Sequence, residues 1–387
     1  MALDQFSRSG MRLEPNLGVI CIMTLAVMSG AIPTLQPLLL ASLNADGKIS
    51  ASQIGLTASA ESLGMAMAVL VVTRWSPTNG IRKISAGATA ACVAMNLITL
   101  AMSGVAIIVA RGLAGICEGI LLWLMAAILA RSQTPARLTG IYVFVLGAAT
   151  FALSAVYSEW VIASFGSSGG YLTLALIFFF LLGPCAGVPS ILAALPTSIA
   201  GWMPNSRGWL GLCGCFLHFA AIMALWVYIV PLATHAGLTL QAANYAVSAA
   251  ILMQIPAGII SAAASEKLDG KWIIPAIVIA NTAILSILVA AHSPAAVFVT
   301  TTLFGFLWFF VIPFQISALA FLDRGRRAVM LSGTAQMLGG SSGAALGAFS
   351  VARWGLFAAP TVALSLFLAA GLVMLVARFT ADPRLQP

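Results

Sequence analysis

Residues 105–130 read VAIIVARGLAGICEGILLWLMAAILA, an apolar stretch that contains only two ionisable residues, Arg111 and Glu118. A helix needs about 20 residues to cross the roughly 30 Å of hydrocarbon in a bilayer. This stretch is long enough to do so. It therefore predicts a transmembrane helix that carries an arginine and a glutamate inside the membrane.

The rest of the chain has the same character. Of its 387 residues, 61% are apolar and 7% are charged, whereas soluble domains carry about 25% charged residues. The composition predicts an all-α integral membrane protein. Sufficiently long apolar stretches occur twelve times, at 16–41, 51–73, 80–103, 105–130, 138–158, 170–194, 208–233, 241–264, 272–291, 295–322, 328–351 and 355–378.

The positions of the basic residues predict the orientation. Twelve spans place both termini in one compartment, and cytoplasmic loops carry an excess of Lys and Arg. We therefore expect a multi-pass protein of the inner membrane with both termini cytoplasmic. The same bias explains the net charge of +8, so no nucleic-acid partner is expected. Fifteen of the eighteen basic residues lie on the predicted cytoplasmic side: Arg8, Arg12, Arg74, Arg82, Lys83, Arg131, Arg137, Arg207, Lys267, Lys271, Arg324, Arg326, Arg327, Arg378 and Arg384.

The polar stretch 195–207 (LPTSIAGWMPNSR) predicts a cytoplasmic linker between two bundles of six helices, residues 1–194 and 208–387. A shift of about 190 residues brings the second span over the eighth, and the Arg137 loop over the loop that follows the tenth span. This correspondence indicates a duplication. Two repeated six-helix halves are a recurrent plan of secondary transporters, which bind substrate near the membrane midplane.

Two motifs resemble those of the major facilitator superfamily. The fourth span reads Arg111-Gly-Leu-Ala-Gly-Ile-Cys-Glu-Gly119, which is similar to the family's RxxqGxgaa pattern with Ala114 in place of the glutamine. The loop after the second span ends Asn79-Gly-Ile-Arg-Lys83, which resembles the tail of the family's GxLaDrxGrrk loop. The resemblance extends over essentially the whole chain. It implies a twelve-helix fold, transport by alternating access, and a gate loop that includes Gly80, Arg82 and Lys83.

The chain also departs from the family patterns. Thr73 stands where the gate loop's first glycine belongs, and Pro77 stands where its acidic residue belongs. That acid helps to hold the cytoplasmic gate in family members, so the resemblance does not extend to gate latching by that ion pair. The fifth span lacks the gxxxGPxxGG pattern of drug/proton antiporters, which disfavours that subgroup.

Ionisable groups inside a bilayer are costly, so each is a functional candidate. The predicted spans contain Glu61, Arg111, Glu118 and His218. Arg111 and Glu118 are two helical turns apart and share one face of the fourth helix. Buried carboxylates and an imidazole can exchange protons near neutral pH, which makes Glu118, Glu61 and His218 the proton-coupling candidates. By the resemblance, Glu118 and His218 face each other across a cavity; the alternative for Arg111 and Glu118 is an interhelical ion pair that only supports the fold.

Aromatic residues in the tenth span suggest the other part of a substrate site. Phe304, Trp308 and Gln315 fall near one helical face, and Trp226 of the seventh span can point the same way. Such rings can stack on a flat apolar solute, although they can equally face lipid. Arg111 stays protonated and can bind a carboxylate. The combination predicts an aromatic or amphipathic organic anion as substrate.

Together these features predict a monomeric, proton-coupled secondary transporter whose partners are a small-molecule solute, protons and the lipid bilayer. The six cysteines all lie in predicted spans and imply no disulfide or metal site. The chain has no GxxxxGK[ST] motif, and no cofactor is expected. An exporter of drugs or metabolites stays open as an alternative. A membrane enzyme, such as an acyl or glycosyl transferase, is disfavoured because no predicted loop exceeds about thirteen residues.

Overall fold

The computed structural model describes residues 17–75, 77–129, 131, 135–192, 203–265, 270–291, 293–323 and 327–379. These residues are helical apart from short turns and one isolated backbone bridge. The elements are α1 (Leu17–Ala45), α2 (Ala51–Trp75), α3 (Ile81–Ala101), α4 (Val105–Leu129), α5 (Pro135–Val156), a π-helical turn (Tyr157–Val161), α6 (Ile162–Cys185), α7 (Ser206–Trp226), α8 (Ile229–His235), α9 (Leu240–Ser265), α10 (Gly270–Ala291), α11 (Pro294–Leu322), α12 (Arg327–Trp354) and α13 (Ala358–Phe379).

Nine helical segments of the described chain are long and apolar enough to cross a membrane. One of them, Ile141–Cys185, continues through α5, the π-helical turn and α6. The predicted ninth and eleventh spans fold as α10 and α12, which are not among the nine. Over the described residues, the structure thus confirms a helical, multi-pass membrane protein.

The boundary between the predicted fifth and sixth spans differs from the prediction, which placed a loop between residues 158 and 170. The chain stays helical there and breaks at one residue, Gly166, whose φ is 58° and ψ is −150°. The carboxylate of Asp46, which follows α1, accepts hydrogen bonds from the Ser167 amide at 2.8 Å and from its hydroxyl at 2.6 Å. The Asp46 carboxylate thus caps the helical segment that begins after Gly166 and connects it to the end of α1. The predicted loop is therefore absent.

Replacing Gly166 by alanine is expected to lower the free energy of unfolding by about 1–3 kcal/mol. Only glycine adopts this backbone conformation readily, and an added Cβ would also lie 2.8 Å from an Asp46 carboxylate oxygen. Thermal unfolding in detergent micelles measures the loss. Gly183→Ala is the matched control, because Gly183 is helical in the same α6 and its Cβ would meet nothing within 4 Å. Equal stability of the two variants would contradict the role given to Gly166.

The predicted sixth span extends too far, since α6 ends at Cys185 rather than near residue 194. Residues 190–192 instead pair with the segment before α3. The Leu192 amide donates to the Thr78 carbonyl at 2.9 Å, and the Ile81 amide donates to the Ser190 carbonyl at 3.2 Å. Hydropathy assigned these residues to a helix because it measures transfer to lipid and not backbone pairing.

The predicted gate-loop residues lie at this same pairing. Gly80 has a positive φ of 74° and immediately precedes α3. The Arg82 Nε donates to the Val188 carbonyl at 2.9 Å, and Lys83 is exposed. Arg82 is therefore anchored on a backbone carbonyl beyond α6.

Close helix contacts depend on glycines that leave no room for a side chain. A Cβ on Gly115 of α4 would collide with the Glu61 carbonyl of α2, and a Cβ on Gly305 of α11 would collide with the Ala250 carbonyl of α9. The second pair lies about 190 residues beyond the first in both helices. The helix α12 approaches α7 in the same way through Gly343, which abuts the Ala220 carbonyl.

Candidate functional site

Four helices bring five polar side chains together in the interior of the bundle. They are Gln36 of α1, Glu61 of α2, Asn96 of α3, and Arg111 and Glu118 of α4. Each of them is at most 2% exposed. We call these five residues the ionic network.

Arg111 is the centre of the ionic network. Its Nη2 donates to Glu61 Oε1 and, at 3.1 Å, to Glu118 Oε1. Its Nη1 donates to Asn96 Oδ1 at 2.9 Å. The structure confirms that Arg111 and Glu118 share one face of α4. It also adds Glu61, so that two carboxylates share one guanidinium.

The two carboxylates are bonded differently. Glu61 accepts from Arg111 through one oxygen and from Gln36 Nε2, at 2.9 Å, through the other. Glu118 accepts from Arg111 through Oε1, whereas its Oε2 is buried without a hydrogen-bond partner in the described structure. Gln36 Oε1 and Arg111 Nε are also buried and unpartnered there. Glu61 thus has a donor on each oxygen, while Glu118 keeps one oxygen available.

The backbone contact between α2 and α4 explains why the acidic residues meet. A Cβ at Gly64 would collide with the carbonyl of Gly112, and a Cβ at Gly119 would lie 2.7 Å from the Cα of Met65. Together with Gly115, these small residues let the two helix backbones touch over two turns. Glu61 is consequently held beside the face of α4 that carries Arg111.

An aromatic ring of α6 covers the guanidinium from another side. The Arg111 Cζ lies 5.2 Å from the centroid of the Tyr171 ring, and Tyr171 is 1% exposed. A cation over a ring face is attracted by the ring's quadrupole, most strongly where water is excluded. Tyr171 therefore contributes to holding Arg111 in place without adding a charge.

The predicted aromatic residues form a second buried group, at the contact of α7 with α11. The Trp226 ring stacks on Phe304 with centroids 6.4 Å apart and meets the Trp308 ring edge-on at 5.3 Å. These three residues are the aromatic cluster. Trp226 Nε1 also donates to the Thr34 carbonyl of α1 at 3.2 Å. Gln315 is buried at 3% exposure on α11, about two turns beyond Trp308.

His218 belongs to the surroundings of the aromatic cluster. Its ring packs edge-on against Phe367 of α13 at 5.0 Å, and Phe367 in turn packs against Phe304 at 6.2 Å. Its Nε2 is buried without a hydrogen-bond partner in the part of the chain that the structure describes. The contacts of His218 lead to the aromatic cluster, whereas those of Glu118 and Glu61 lead to Arg111.

Gln36, Asn96 and Tyr171 were not expected at the site. Uncharged polar residues cost less to bury than ionised ones, so a search for charges inside spans passes over them. A usable signal does exist, because Gln36 and Asn96 are amides inside otherwise apolar stretches. Tyr171 carries no such signal, since it lies at the start of the predicted sixth span and tyrosine is enriched at membrane–water interfaces.

The chain matches no known protein-family model, and it matches no curated protein sequence. Geometry and charge are therefore the grounds on which a function is proposed.

Proposed function

We propose that the chain is a proton-coupled secondary transporter of the major facilitator type, which moves a small organic solute by alternating access. The observation that carries this proposal is Glu118, a fully buried carboxylate with an unpartnered oxygen beside a guanidinium that already binds Glu61. Ionisable residues at membrane depth commonly mark ion and proton pathways.

The charges of the ionic network support a proton on Glu118. One guanidinium and two ionised carboxylates leave one negative charge in a site that excludes water. An uncompensated buried charge costs several kcal/mol, and protonation of one carboxylate removes it. Both oxygens of Glu61 accept hydrogen bonds, whereas Glu118 Oε2 accepts none in the described structure, so we assign the exchanged proton to Glu118.

The helix pairing supports two related halves. The counterparts of α1 to α6, six spans later, are α7 and α9 to α13. With each helix replaced by its counterpart, the contacts α2–α4, α3–α6 and α1–α6 recur as α9–α11, α10–α13 and α7–α13. The two most extensive contacts between the proposed halves, α2–α12 and α5–α9, exchange with each other under the same replacement. Two six-helix repeats that pack about a common axis give this pattern.

Contacts between the proposed halves close one end of the bundle. Residues 31–43 of α1 and 218–230 of α7 and α8 are all buried. The Gly55 amide of α2 donates to the Tyr228 hydroxyl at 3.2 Å. The hydroxyls of Ser59 and Ser341 lie 3.2 Å apart. Alternating access requires these contacts to break once in each transport cycle, and the positive-inside orientation makes this the extracytoplasmic end.

Replacing Glu118 by glutamine is expected to reduce solute-driven proton movement to the level of protein-free liposomes. Glutamine keeps the size and an acceptor for Arg111 but cannot release a proton. The purified protein is reconstituted with a pH-sensitive dye trapped in the lumen, and a set of aromatic amines and acids is added outside.

Glu159→Gln is the matched control, because Glu159 is an exposed glutamate outside the ionic network. It should retain the proton movement of the wild type. Unchanged solute-driven proton movement in Glu118→Gln, with the control behaving normally, would remove Glu118 from the proposal. Wild-type protein that moves neither protons nor solute would contradict transport itself.

A further inference from the structure

We infer that the solute is an organic cation with a flat apolar part, and that its ammonium group exchanges for the proton on Glu118. This inference rests on the proposed transport function and adds the substrate class and the sense of the coupling. It replaces the organic anion that the sequence alone suggested.

Charge is the first ground for a cation. The anion prediction assumed that Arg111 has an open guanidinium, but Arg111 already binds Glu61, Glu118 and Asn96. A second anion at this place would face two carboxylates across one positive group. A cation would instead neutralise the negative charge that remains when Glu118 is ionised.

Hydrogen-bonding capacity is the second ground. The carboxylate oxygen Glu118 Oε2 and the amide oxygen Gln36 Oε1 are buried acceptors without partners in the described structure. An ammonium group has three N–H donors and no acceptor, so it complements both oxygens. A carboxylate ligand would find Arg111 Nε as the unpartnered donor of the network, beside oxygens that repel it.

The third ground is what occupies the corresponding positions of the second half. The glycine contacts Gly115–Glu61 and Gly305–Ala250 fix a shift of about 190 residues. Under this shift Trp308 corresponds to Glu118, and Trp226 corresponds to Gln36. One half thus presents polar side chains at these positions, a carboxylate and an amide, and the other presents indole rings.

Both groups of residues contact α1. Trp226 Nε1 binds the Thr34 carbonyl, and Gln36, two residues further on, binds Glu61. An ammonium at Glu118 and an aromatic or aliphatic body against Trp226 and Trp308 would use both. Indole faces also attract cations directly, and they accept flat apolar groups of many shapes.

The exchange is balanced in charge and atoms. The neutral carboxylic acid of Glu118 releases its proton to water, and the ammonium then donates its N–H groups to the resulting carboxylate. The ammonium keeps its own protons, and no covalent bond to the solute forms or breaks. Each bound monovalent cation therefore displaces one proton, which is the stoichiometry of an exchanger.

Matched amine and acid probes test the inference in weakly buffered detergent solution with a pH-indicator dye. The pairs are 2-phenylethylammonium with 3-phenylpropanoate, and tryptammonium with 3-indolepropanoate. A saturating amine should release about one proton per protein, since one carboxylic acid carries one. The acids should release or take up none, and Glu118→Gln should show no release with any probe.

Trp308→Leu distinguishes the aromatic contribution from the charge. It is expected to raise the Kd of the amines by about tenfold, the upper size of one aromatic ring contact, while saturating amine still releases the proton. Trp308→Phe should recover most of the affinity. Because these readouts are ligand-induced, a variant that only folds less well would lose binding capacity without this pattern.

Binding of the acids in preference to the amines, or amine binding without proton release, would overturn the inference. So would a lack of binding by every amine at millimolar concentration. These outcomes differ from failure of the proposed function. If the protein transported acids and Glu118→Gln abolished that transport, proton coupling would stand and only the cationic substrate would be wrong. If amines released protons but were not transported in liposomes, the cationic ligand would stand and the transport function would be wrong.

Discussion

Arg111→Met is expected to lower the free energy of unfolding by about 3–5 kcal/mol, the cost of removing one partner from a buried ion pair. Methionine fills a similar volume, so little of the loss comes from packing. The substitution leaves the carboxylates of Glu61 and Glu118 buried together without a cation. It also removes the donor to Asn96 Oδ1.

Thermal unfolding in detergent micelles measures this loss, and a combined variant identifies its cause. Arg111→Met together with Glu61→Gln and Glu118→Gln leaves no charge in the ionic network, so most of the stability should return. Arg353→Met is the control, because Arg353 is exposed near the end of α12, and it should change stability by less than about 0.5 kcal/mol. If the triple variant were no more stable than Arg111→Met, charge compensation would not be the reason for the loss.

The sequence identified the charged members of the site because charge inside an apolar span is rare and conspicuous. It also predicted that Arg111 and Glu118 share a face, since a helix repeats every 3.6 residues. The contact of Glu61 with Arg111 could not be predicted in this way. It depends on a tertiary contact between α2 and α4, where Gly115 lets one backbone reach the other.

For His218, the sequence predicted burial but not the contacts that the side chain makes. Its burial could be predicted from its place in an apolar span, but not its neighbours. The His218 ring on α7 packs against Phe367 of α13. This contact depends on how the last helix packs. The sequence pattern contains no information on which of several adjacent helices a single side chain will contact.

The prediction of helix boundaries was wrong at two places for a related reason. The break at Gly166 requires Asp46, which lies 120 residues earlier and caps the amide of Ser167. The end of α6 is followed by backbone pairing of Ile191 with Asn79. Both events are long-range hydrogen bonds, whereas apolar-span prediction sees only the local cost of placing residues in lipid.

Gly115→Ala is expected to reduce both stability and proton coupling, because this glycine sets the distance between the helices of the ionic network. Its added Cβ would collide with the Glu61 carbonyl oxygen and lie 2.8 Å from the carbonyl carbon and 3.0 Å from the Cα. These are backbone atoms, so α2 must move away from α4. Overpacking of this kind costs about 1–3 kcal/mol.

The movement also displaces the Glu61 side chain from Arg111. The guanidinium of Arg111 then binds Glu61 less closely and Glu118 more closely. The Arg111–Glu118 contact then differs from that of the wild type, on which the proposed proton exchange depends. Solute-driven proton movement in liposomes should therefore fall in Gly115→Ala even at temperatures where the variant remains folded.

Gly112→Ala is the control on the same helix, three residues earlier. Its Cβ would lie 3.5 Å from the Ala60 Cβ, an ordinary contact, so alanine's helix propensity should leave it as stable as the wild type or up to about 1 kcal/mol more stable. Thermal unfolding and proton movement are measured for both variants. A normal Gly115→Ala protein would mean that α2 and α4 do not touch at this residue, and the position of Glu61 beside Arg111 would then need another cause.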